Sequence, residues 1–210
     1  MRFLKLFVMA ATILLTGHTL AADKYIEGKH YKLISTPLPV TLESGKKVAV
    51  WEFFSYTCPH CYHLEAALQQ WIPTLADDVQ YEPVATTFSQ WMPMVKAYYT
   101  AQLMGAEKEN HEKVFTAIFE DGAPARTVED YANIYAKFGV DKEKFLKTAD
   151  SFGVNTKIKQ AEMLTKGSGI MGTPSMVVAG KYLVTGETAG SNVGMLDVVN
   201  FLIEKERAAN

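Results

Sequence analysis

Hydrophobic residues are distributed differently in three parts of the chain. Residues 48–54 (VAVWEFF) form a nearly continuous apolar run, and 79–85 resemble it, which is the pattern of strands covered on both faces. We expect both to be central strands of a sheet, although Pro83 weakens the second because proline cannot donate a ladder hydrogen bond. A short edge strand is predicted at 31–34, and a helix, bent where a proline interrupts it, at 59–75.

The middle of the chain, from about residue 89 to 167, changes to helical spacing, and strand-like runs are scarce there. Thr127 followed by Asp130 resembles a capping box, a pair of side chains that starts a helix. The block also contains enough apolar residues for a core of its own. The predicted helices run over 94–104, 109–119, 128–138, 142–152 and 155–166.

Strand signals return near the end of the chain. Residues 175–179 and 182–185 are predicted strands on either side of a tight turn, and a final helix, capped by Ser191, is predicted through Arg207. Strands at both ends of the chain therefore flank the helical block, which is the arrangement of an α/β layer fold with an insertion.

The chain is divided accordingly into two domains. An α/β domain is expected in two parts, 22–88 and 168–210, with an all-helical domain, 89–167, inserted between them. The alternative is a single α/β domain with a long helical excursion. We prefer the insertion because the helical block can bury its own apolar residues.

The start of the chain has the pattern of an export signal. Two basic residues precede an apolar run at 6–15, and small residues follow at the positions that a signal peptidase requires. We predict that residues 1–21 are removed, with cleavage after Ala21 or Ala22. A short membrane anchor is the alternative, but the run is shorter than the roughly 20 residues that span a bilayer.

Charge and compartment narrow the function classes. Loss of the leader would take the formal net charge from −2 to −4, because the leader carries two basic residues and no acidic one. This mild acidity argues against a basic nucleic-acid surface, so we expect no nucleic-acid partner. Export would place the chain in a compartment where disulfides form and persist.

The only two cysteines, Cys58 and Cys61, lie at the predicted junction between a strand and a helix. Free N–H groups and the positive dipole end of a helix start favour an anion, so we predict a lowered pKa for the Cys58 thiol. Pro59 suits the first helical turn, and His60 adds a donor or a partial positive charge. Cys61 lies one turn further in and more buried, where it can resolve a mixed disulfide at Cys58. A stabilised thiolate favours the reduced form, which makes the disulfide oxidising.

Two other uses of the cysteine pair are open. His60 and His63 accompany the cysteines, so a metal site is one alternative. However, this spacing points the four side chains in different directions, and no second Cys or Cys/His pair follows to complete a tetrahedral site. An inert structural bridge is the other alternative, but closing so short a loop removes little entropy from the unfolded chain. We therefore expect redox chemistry and no metal.

A second motif, Gly172-Thr173-Pro174, precedes the predicted strand at 175–179 and by itself indicates only a turn. Together with the sequence around Cys58-Pro59-His60-Cys61 and the helical insertion, it resembles the DsbA family, the periplasmic thiol:disulfide oxidoreductases of Gram-negative bacteria. The resemblance covers essentially the whole chain after the leader. It implies a thioredoxin-like fold with an inserted all-helical domain. It also implies that Thr173 and Pro174 form a cis-proline loop against the disulfide, where the Thr173 backbone pairs with a substrate strand.

The resemblance also implies a function. The protein would donate its disulfide, through a mixed disulfide at Cys58, to cysteine pairs of unfolded, newly exported proteins in the periplasm. A DsbB-like, quinone-linked inner-membrane protein would reoxidise it without an organic cofactor, and we expect a monomer. Members of this family are known for a low-pKa cysteine and an oxidising disulfide. The predicted lowering of the Cys58 pKa therefore agrees with the family and is not independent of it. The alternatives are a reductase or isomerase of the same fold and a non-enzymatic periplasmic module that binds metal or peptide.

Two acids are candidates for tuning the site. Glu52 lies within an apolar strand, where a carboxylate is costly unless it is partnered or protonated. Glu65 follows Cys61 by four residues, which also fits a solvated surface acid. In the DsbA family the matching acids lie beneath the active site, with a lysine on the next strand, and influence proton transfer with the buried thiol. Residues 79–83 contain no lysine, so we expect a different network, in which Glu52 is a candidate proton relay.

The segment from Trp91 to Met94, at the entry to the helical block, has two interpretations. By analogy with the family it contributes hydrophobic surface for docking unfolded substrates, and methionine suits such varied contacts. Packing at the hinge between the domains is the alternative.

Overall fold

The computed structural model describes residues 24–209, and its centre is a five-stranded sheet in the order β1-β5-β4-β2-β3. Strands β2 and β3 are parallel, and the remaining neighbours are antiparallel. The strands are β1 Lys32–Leu33, β2 Val48–Phe54, β3 Val79–Ala85, β4 Ser175–Val178 and β5 Tyr182–Thr185.

Strand β3 lies at the edge of the sheet, so the prediction that it is central was wrong. Among the described strands it pairs with β2 alone, whereas β2 has β3 on one side and β4 on the other. Pro83 explains the difference, because an edge strand has one unpaired side and tolerates a residue that cannot donate a ladder hydrogen bond. The prediction that β2 is central is confirmed.

Helix α1, Pro59–Trp71, connects β2 to the parallel strand β3. Cys58 is its N-cap residue with an extended backbone, and Pro59 occupies the first turn as predicted. The predicted bend is a change of helix type, because α1 ends at Trp71 and a 3-10 turn continues over Ile72–Thr74. This arrangement places the two cysteines where β2 ends and α1 begins.

The described residues between β3 and β4 contain a 3-10 turn at Ser89–Trp91 and five α-helices. Thr127 and Asp130 form the expected reciprocal capping box at the start of α4. The predicted boundary at the start of α6 was wrong, because the Ser151 hydroxyl accepts a hydrogen bond from the Val154 amide and starts that helix at Phe152. The helices are α2 Met92–Leu103, α3 Glu107–Phe119, α4 Val128–Lys137, α5 Lys142–Ala149 and α6 Phe152–Ser168.

Two helices follow β5. A single turn, α7 Gly186–Ala189, was not predicted, and α8 covers Gly194–Ala209. The Ser191 hydroxyl accepts a hydrogen bond of 2.9 Å from the Gly194 amide at the start of α8, which confirms its predicted capping position.

Both faces of β2 are covered. Successive residues of a strand point to opposite faces, so Trp51 and Phe53 pack towards the helical block, whereas Val48 and Val50 pack with residues of α1 and α8. All seven residues of β2 are therefore buried, including Glu52. The carboxylate of Glu52 is thus enclosed in the interior of the molecule.

The observed architecture is the one that the sequence pattern predicted, an α/β sheet interrupted by a helical block. The boundaries at 22–88, 89–167 and 168–210 remain a prediction, and residues 1–21, with cleavage after Ala21 or Ala22, lie outside the described residues. Within residues 24–209, no helix combines the length and the apolar composition needed to cross a bilayer.

Candidate active site

Cys58 and Cys61 lie one turn apart at the amino end of α1, and both are free thiols in this structure. Cys58 is 7% exposed and Cys61 is 1% exposed, which confirms the predicted order of outer and inner sulfur. The Cys58 carbonyl accepts hydrogen bonds of 3.1 Å from the amides of Cys61 and Tyr62, which close the first helical turn. The geometry therefore leaves Cys58 as the sulfur nearer to solvent.

The pKa of Cys58 is lowered from its ordinary value of 9.0 to about 5. The main cause is a hydrogen bond from the Cys61 thiol. The Thr173 hydroxyl and the backbone amides of Cys61 and His60 also lower this pKa, and burial opposes them. The predicted direction is confirmed, but the neighbouring thiol contributes more than the helix start on which the prediction was based.

The pKa of Cys61 is shifted the other way, far above its ordinary value. Burial is the main cause, and the hydrogen bond to Cys58 and the charges of Cys58 and Glu52 add to it. Cys61 is therefore a protonated thiol at neutral pH while Cys58 is a thiolate. The two sulfurs differ in both access and ionisation.

The loop before β4 brings Thr173 and Pro174 against the outer sulfur. Their peptide bond is cis, as the family resemblance implied. The Cys58 thiol donates a hydrogen bond of 3.3 Å to the Thr173 carbonyl oxygen. Pro59 and His60 are exposed beside Cys58. His60 lowers the pKa of Cys58 through its backbone amide.

The metal alternative can be compared with the side-chain positions. Within residues 24–209, no group of three His, Cys, Asp or Glu side chains is arranged to hold a metal ion. Both His60 and His63 are exposed, whereas Cys58 and Cys61 are buried. The four residues of the motif therefore do not converge on one point.

Glu52 is 2% exposed and has one hydrogen-bond partner among the described contacts, the Tyr81 hydroxyl, which donates to its Oε2 atom. Burial raises the pKa of Glu52 from 4.5 to about 8. The Tyr81 hydrogen bond opposes this shift, and the charges of Glu65 and Cys58 add to it. Tyr81 lies on β3, the strand on which the family has a lysine, so a neutral phenol is the partner of this carboxylate.

The sequence analysis did not single out Tyr81. In the parallel register of β2 and β3, Val50 lies opposite Tyr81 and Glu52 lies opposite Pro83, so Tyr81 shares a face of the sheet with Glu52. The alternation along two adjacent strands was a signal that could have found this pair. It required the register, which the sequence did not supply.

Glu65 is 6% exposed, so the alternative of a solvated surface acid is wrong. The Gln69 amide donates a hydrogen bond of 2.6 Å to Glu65 Oε1, and His111 Nε2 lies 3.7 Å from Oε2. Burial, as the main cause, raises the pKa of Glu65 and lowers that of His111 to about 4. His111 is therefore neutral at pH 7.

His111 also links the helical block to the sheet, and the sequence analysis missed it. It lies on α3, and its Nδ1 atom is 2.9 Å from the hydroxyl of Tyr56, two residues before Cys58. Its ring contacts Phe54 with centroids 4.9 Å apart. A lone histidine on a helix gives no sequence signal of such a contact, because its partners are brought together only by packing.

The segment from Trp91 to Met94 is packed into the molecule. Met94 is buried in the core, and the Trp91 ring stacks on Phe88 with centroids 5.3 Å apart. Packing at the junction, the alternative interpretation, therefore accounts for Met94. Met171, two residues before Thr173, is by contrast 90% exposed beside the cis-proline loop.

Comparison with known proteins places the chain in a family. A family model described as a DSBA-like thioredoxin domain matches residues 74–193, a span that includes Thr173 and Pro174 but begins after the cysteines. The chain is 39% identical over 210 residues to the thiol:disulfide interchange protein DsbA of Pseudomonas aeruginosa, which covers 100% of this chain and 99% of that protein. This match includes the cysteine pair.

Solved structures agree with these matches. The crystal structure of Pseudomonas aeruginosa DsbA superposes with a TM-score of 0.82 and 39% identity, covering 90% of this chain and 97% of that chain. The oxidoreductase DsbA of Xylella fastidiosa superposes with a TM-score of 0.80 and 34% identity, covering 86% and 97%. The chain therefore belongs to the DsbA family and is a protein-disulfide oxidoreductase with a thioredoxin-like fold.

Proposed function

We propose that this oxidoreductase is a dithiol oxidase, which donates a Cys58–Cys61 disulfide to cysteine pairs of newly exported proteins. The observation that carries the proposal is the opposite ionisation of the two sulfurs, with the pKa of Cys58 lowered to about 5 and that of Cys61 raised. A favourable thiolate at Cys58 stabilises the reduced state. The disulfide is then the more reactive state and passes its bond to other thiols.

The reaction has two exchange steps. A substrate thiolate attacks Cys58 Sγ, the Cys58–Cys61 bond breaks, and Cys61 Sγ receives the electron pair and then a proton. A second substrate thiolate attacks the substrate sulfur of the mixed disulfide, and Cys58 leaves as the thiolate. The substrate loses two electrons and gains a disulfide, and the enzyme is left reduced with one proton more on Cys61.

The position of Cys58 as the outer of the two sulfurs and the adjacent loop fit this order of attack. A substrate strand next to Cys58 would pair with the backbone at Thr173, a form of strand addition in which main-chain hydrogen bonds give affinity without a fixed sequence. Thr173 and Pro174 hold this loop against the sulfur. Pro59 and His60, exposed beside Cys58, shape the surface that the substrate meets.

The cycle closes when the reduced enzyme is reoxidised. We assign this step to a DsbB-like, quinone-linked protein of the inner membrane, so that no organic cofactor or metal is held by the chain itself. The enzyme acts as a monomer in the periplasm after removal of residues 1–21. The family membership and the leader-like sequence support this location.

Oxidation of a reduced, unfolded protein with paired cysteines tests the proposal. The oxidised enzyme should oxidise it rapidly, Cys58→Ser should abolish the reaction, and Cys61→Ser should accumulate the mixed disulfide. The reduction potential, measured against glutathione, should be oxidising relative to glutathione. A strongly reducing potential would instead favour the reductase or isomerase. If the parent showed no oxidase activity, and if Cys58→Ser prevented aggregation of an unfolded protein as well as the parent does, the peptide-binding module would be favoured.

A further inference from the structure

The inner sulfur must exchange a proton in every catalytic cycle. Cys61 gains one when the disulfide is reduced and loses one when it forms again. Cys61 is 1% exposed, and the Glu52 carboxylate, close enough to act on it electrostatically, is 2% exposed. Neither group has direct access to bulk solvent, so a further group must connect them to it.

Tyr81 is in a position to make this connection. Its hydroxyl donates a hydrogen bond to Glu52 Oε2, and its side chain lines a cavity of about 360 Å³ between α1, β3 and α3. Glu52 is not part of the cavity wall, so among the described contacts Tyr81 is the group that touches both. The ring packs edge-on against Trp71, with centroids 6.0 Å apart, which fixes its direction.

We propose that Tyr81 positions Glu52 and carries the proton between Glu52 and the solvent of this cavity, so that Cys61 can be protonated and deprotonated during turnover. The proposal rests on the function proposed above, because it concerns the proton that the exchange at Cys58 and Cys61 requires. It assigns a role to a residue outside the cysteine motif and the cis-proline loop.

The proton movement balances in both directions. When substrate reduces the disulfide, Cys61 Sγ takes the proton of Glu52, Glu52 takes the hydroxyl proton of Tyr81, and Tyr81 takes one from solvent. When the reduced enzyme is reoxidised, the same transfers run in reverse as the Cys61 sulfur bonds to Cys58. The proton of Cys61 then passes to Glu52, that of Glu52 to the Tyr81 oxygen, and that of Tyr81 to the cavity.

The surroundings of Tyr81 suit a group that moves protons without holding a charge. Burial, with the charge of Glu52, raises its pKa well above the ordinary value, so it remains a neutral phenol between transfers. The other titratable groups that face the pair are Tyr98 on α2, Glu65 on α1, and Glu107, Lys108 and His111 on α3.

Glu65 does not replace Tyr81 in this role. Glu65 also lines the cavity, but its Oε1 atom accepts from Gln69 and its Oε2 atom faces His111. No hydrogen bond joins Glu65 to Glu52 among the described residues, and the interaction between them is electrostatic. Tyr81 therefore provides the hydrogen-bonded link, and Glu65 contributes charge.

The reaction of the reduced enzyme with oxidised glutathione has one step that does not involve the Cys61 proton and one step that requires its loss. In the first step the Cys58 thiolate attacks glutathione disulfide, which needs no proton from Cys61. In the second step Cys61 loses its proton and attacks Cys58 Sγ, which releases the second glutathione. Tyr81→Phe should leave the first step unchanged and slow the second by at least about tenfold, the lower end of what a positioned proton-transfer group provides.

A matched control is available on the same sheet. The Tyr182 hydroxyl donates a hydrogen bond of 2.9 Å to the carboxylate of Glu206, a buried acid on α8. Tyr182 lies on β5, which β4 and β2 separate from β3. Tyr182→Phe therefore removes the same kind of bond without touching Glu52, and it should leave both steps at the parent rate.

The pH profile distinguishes proton transfer from simple tuning of Glu52. If Tyr81 carries the proton, Tyr81→Phe lowers the plateau of the second step and enlarges its solvent isotope effect. A rate profile of the second step that only shifts along the pH axis, or an unchanged rate of that step, would overturn the proposal.

A second replacement is available if Tyr81→Phe does not fold. Replacement of Tyr81 by 3-fluorotyrosine keeps the hydroxyl but makes it more acidic, and it must change the rate of the second step. A parent enzyme that does not oxidise substrate cysteine pairs would instead refute the proposed function.

Discussion

The thiol of Cys58 donates a hydrogen bond to the carbonyl oxygen of Thr173 across 115 positions of sequence, with 3.3 Å between the two atoms. The hydroxyl of the same Thr173 is buried and has no hydrogen-bond partner among the described atoms. When Cys58 ionises it loses its proton and becomes an acceptor, which the Thr173 hydroxyl can satisfy. One residue of the cis-proline loop thus supplies an acceptor for the protonated sulfur and a potential donor for the ionised one.

Thr173→Val should therefore raise the pKa of Cys58, because it removes a donor to the thiolate while keeping the shape of the side chain. The rise should be smaller than that of Cys61→Ala, which removes the main cause of the low value. Ultraviolet absorbance of the thiolate, titrated against pH in the reduced protein, measures both.

Thr173→Ser is the matched control, since it retains a hydroxyl at the same position and should keep the pKa of Cys58 near that of the parent. An equal rise in Thr173→Ser and Thr173→Val would show that packing, rather than the hydroxyl, sets the value. A larger effect of Thr173→Val than of Cys61→Ala would mean that the threonine hydroxyl, rather than the neighbouring thiol, is the main cause of the low pKa.

The low pKa of Cys58 predicts how stability depends on pH in the reduced protein. The folded value of about 5 lies below the ordinary value of 9.0, so the unfolded chain binds more protons between these limits. The free energy of unfolding of the reduced protein should rise from pH 5 towards pH 9, relative to that of the oxidised protein, which has no thiols. Urea unfolding of both forms across this range measures the difference, and a flat difference would contradict it.

Local signals account for what the sequence located correctly. The start of α1 could be placed because Pro59 and the two cysteines follow an apolar strand directly, and the caps of α4 and α8 depend on residues within one turn. Such features involve neighbours in the chain. They do not require knowledge of which elements pack together.

The remaining features depend on pairing over long distances. The edge position of β3 follows from β4 joining the other side of β2, and Ser175 of β4 pairs with Phe53 of β2 across 122 positions of the chain. The contact of Tyr81 with Glu52 requires the β2–β3 register, and the contact of His111 with Tyr56 requires α3 to pack against the start of α1. These two contacts are polar contacts within an apolar pattern, and hydrophobic periodicity alone does not select such partners.

Glu52→Gln should separate the effect of a buried acid on folding stability from its role in proton transfer. The pKa of Glu52 is raised from 4.5 to about 8, so the folded protein binds more protons than the unfolded chain between these values. On the linkage relation, the parent should lose a few kcal/mol of stability relative to Glu52→Gln as the pH rises from 4.5 to 8. Unfolding of the oxidised proteins by urea isolates this effect, because no thiol titrates there.

The same variant should release glutathione more slowly from the mixed disulfide formed with oxidised glutathione, because Cys61 must lose its proton to attack Cys58 Sγ and glutamine cannot accept that proton. Quenched-flow separation of the mixed disulfide, followed over time, measures that rate. An unchanged rate of release would exclude Glu52 from proton transfer, even if the stability prediction held.

Protonation of His111 should weaken the link between the helical block and the sheet at acid pH. Burial lowers the pKa of His111 to about 4 from an ordinary 6.5, so between these values the unfolded chain binds the additional proton. His111 should therefore contribute a loss of about 3 kcal/mol of stability as the pH falls from 6.5 to 4, since each pKa unit corresponds to roughly 1.4 kcal/mol. Glu52 contributes in the opposite direction over part of this range, so the loss is read as a difference from a variant without the histidine. Urea unfolding at these two pH values, with the oxidised parent compared with a variant that lacks the histidine, measures the loss.

A variant of His111 must also take account of Tyr56, whose hydroxyl lies 2.9 Å from His111 Nδ1. His111→Phe alone would leave that buried hydroxyl unpaired, at a cost of about 1–3 kcal/mol at every pH. The double variant His111→Phe with Tyr56→Phe removes both groups, and relative to the parent it should gain about 3 kcal/mol of stability as the pH falls from 6.5 to 4. Tyr56→Phe alone keeps the histidine and should retain the parent's acid sensitivity, so equal pH dependence in all three proteins would assign that sensitivity to other groups.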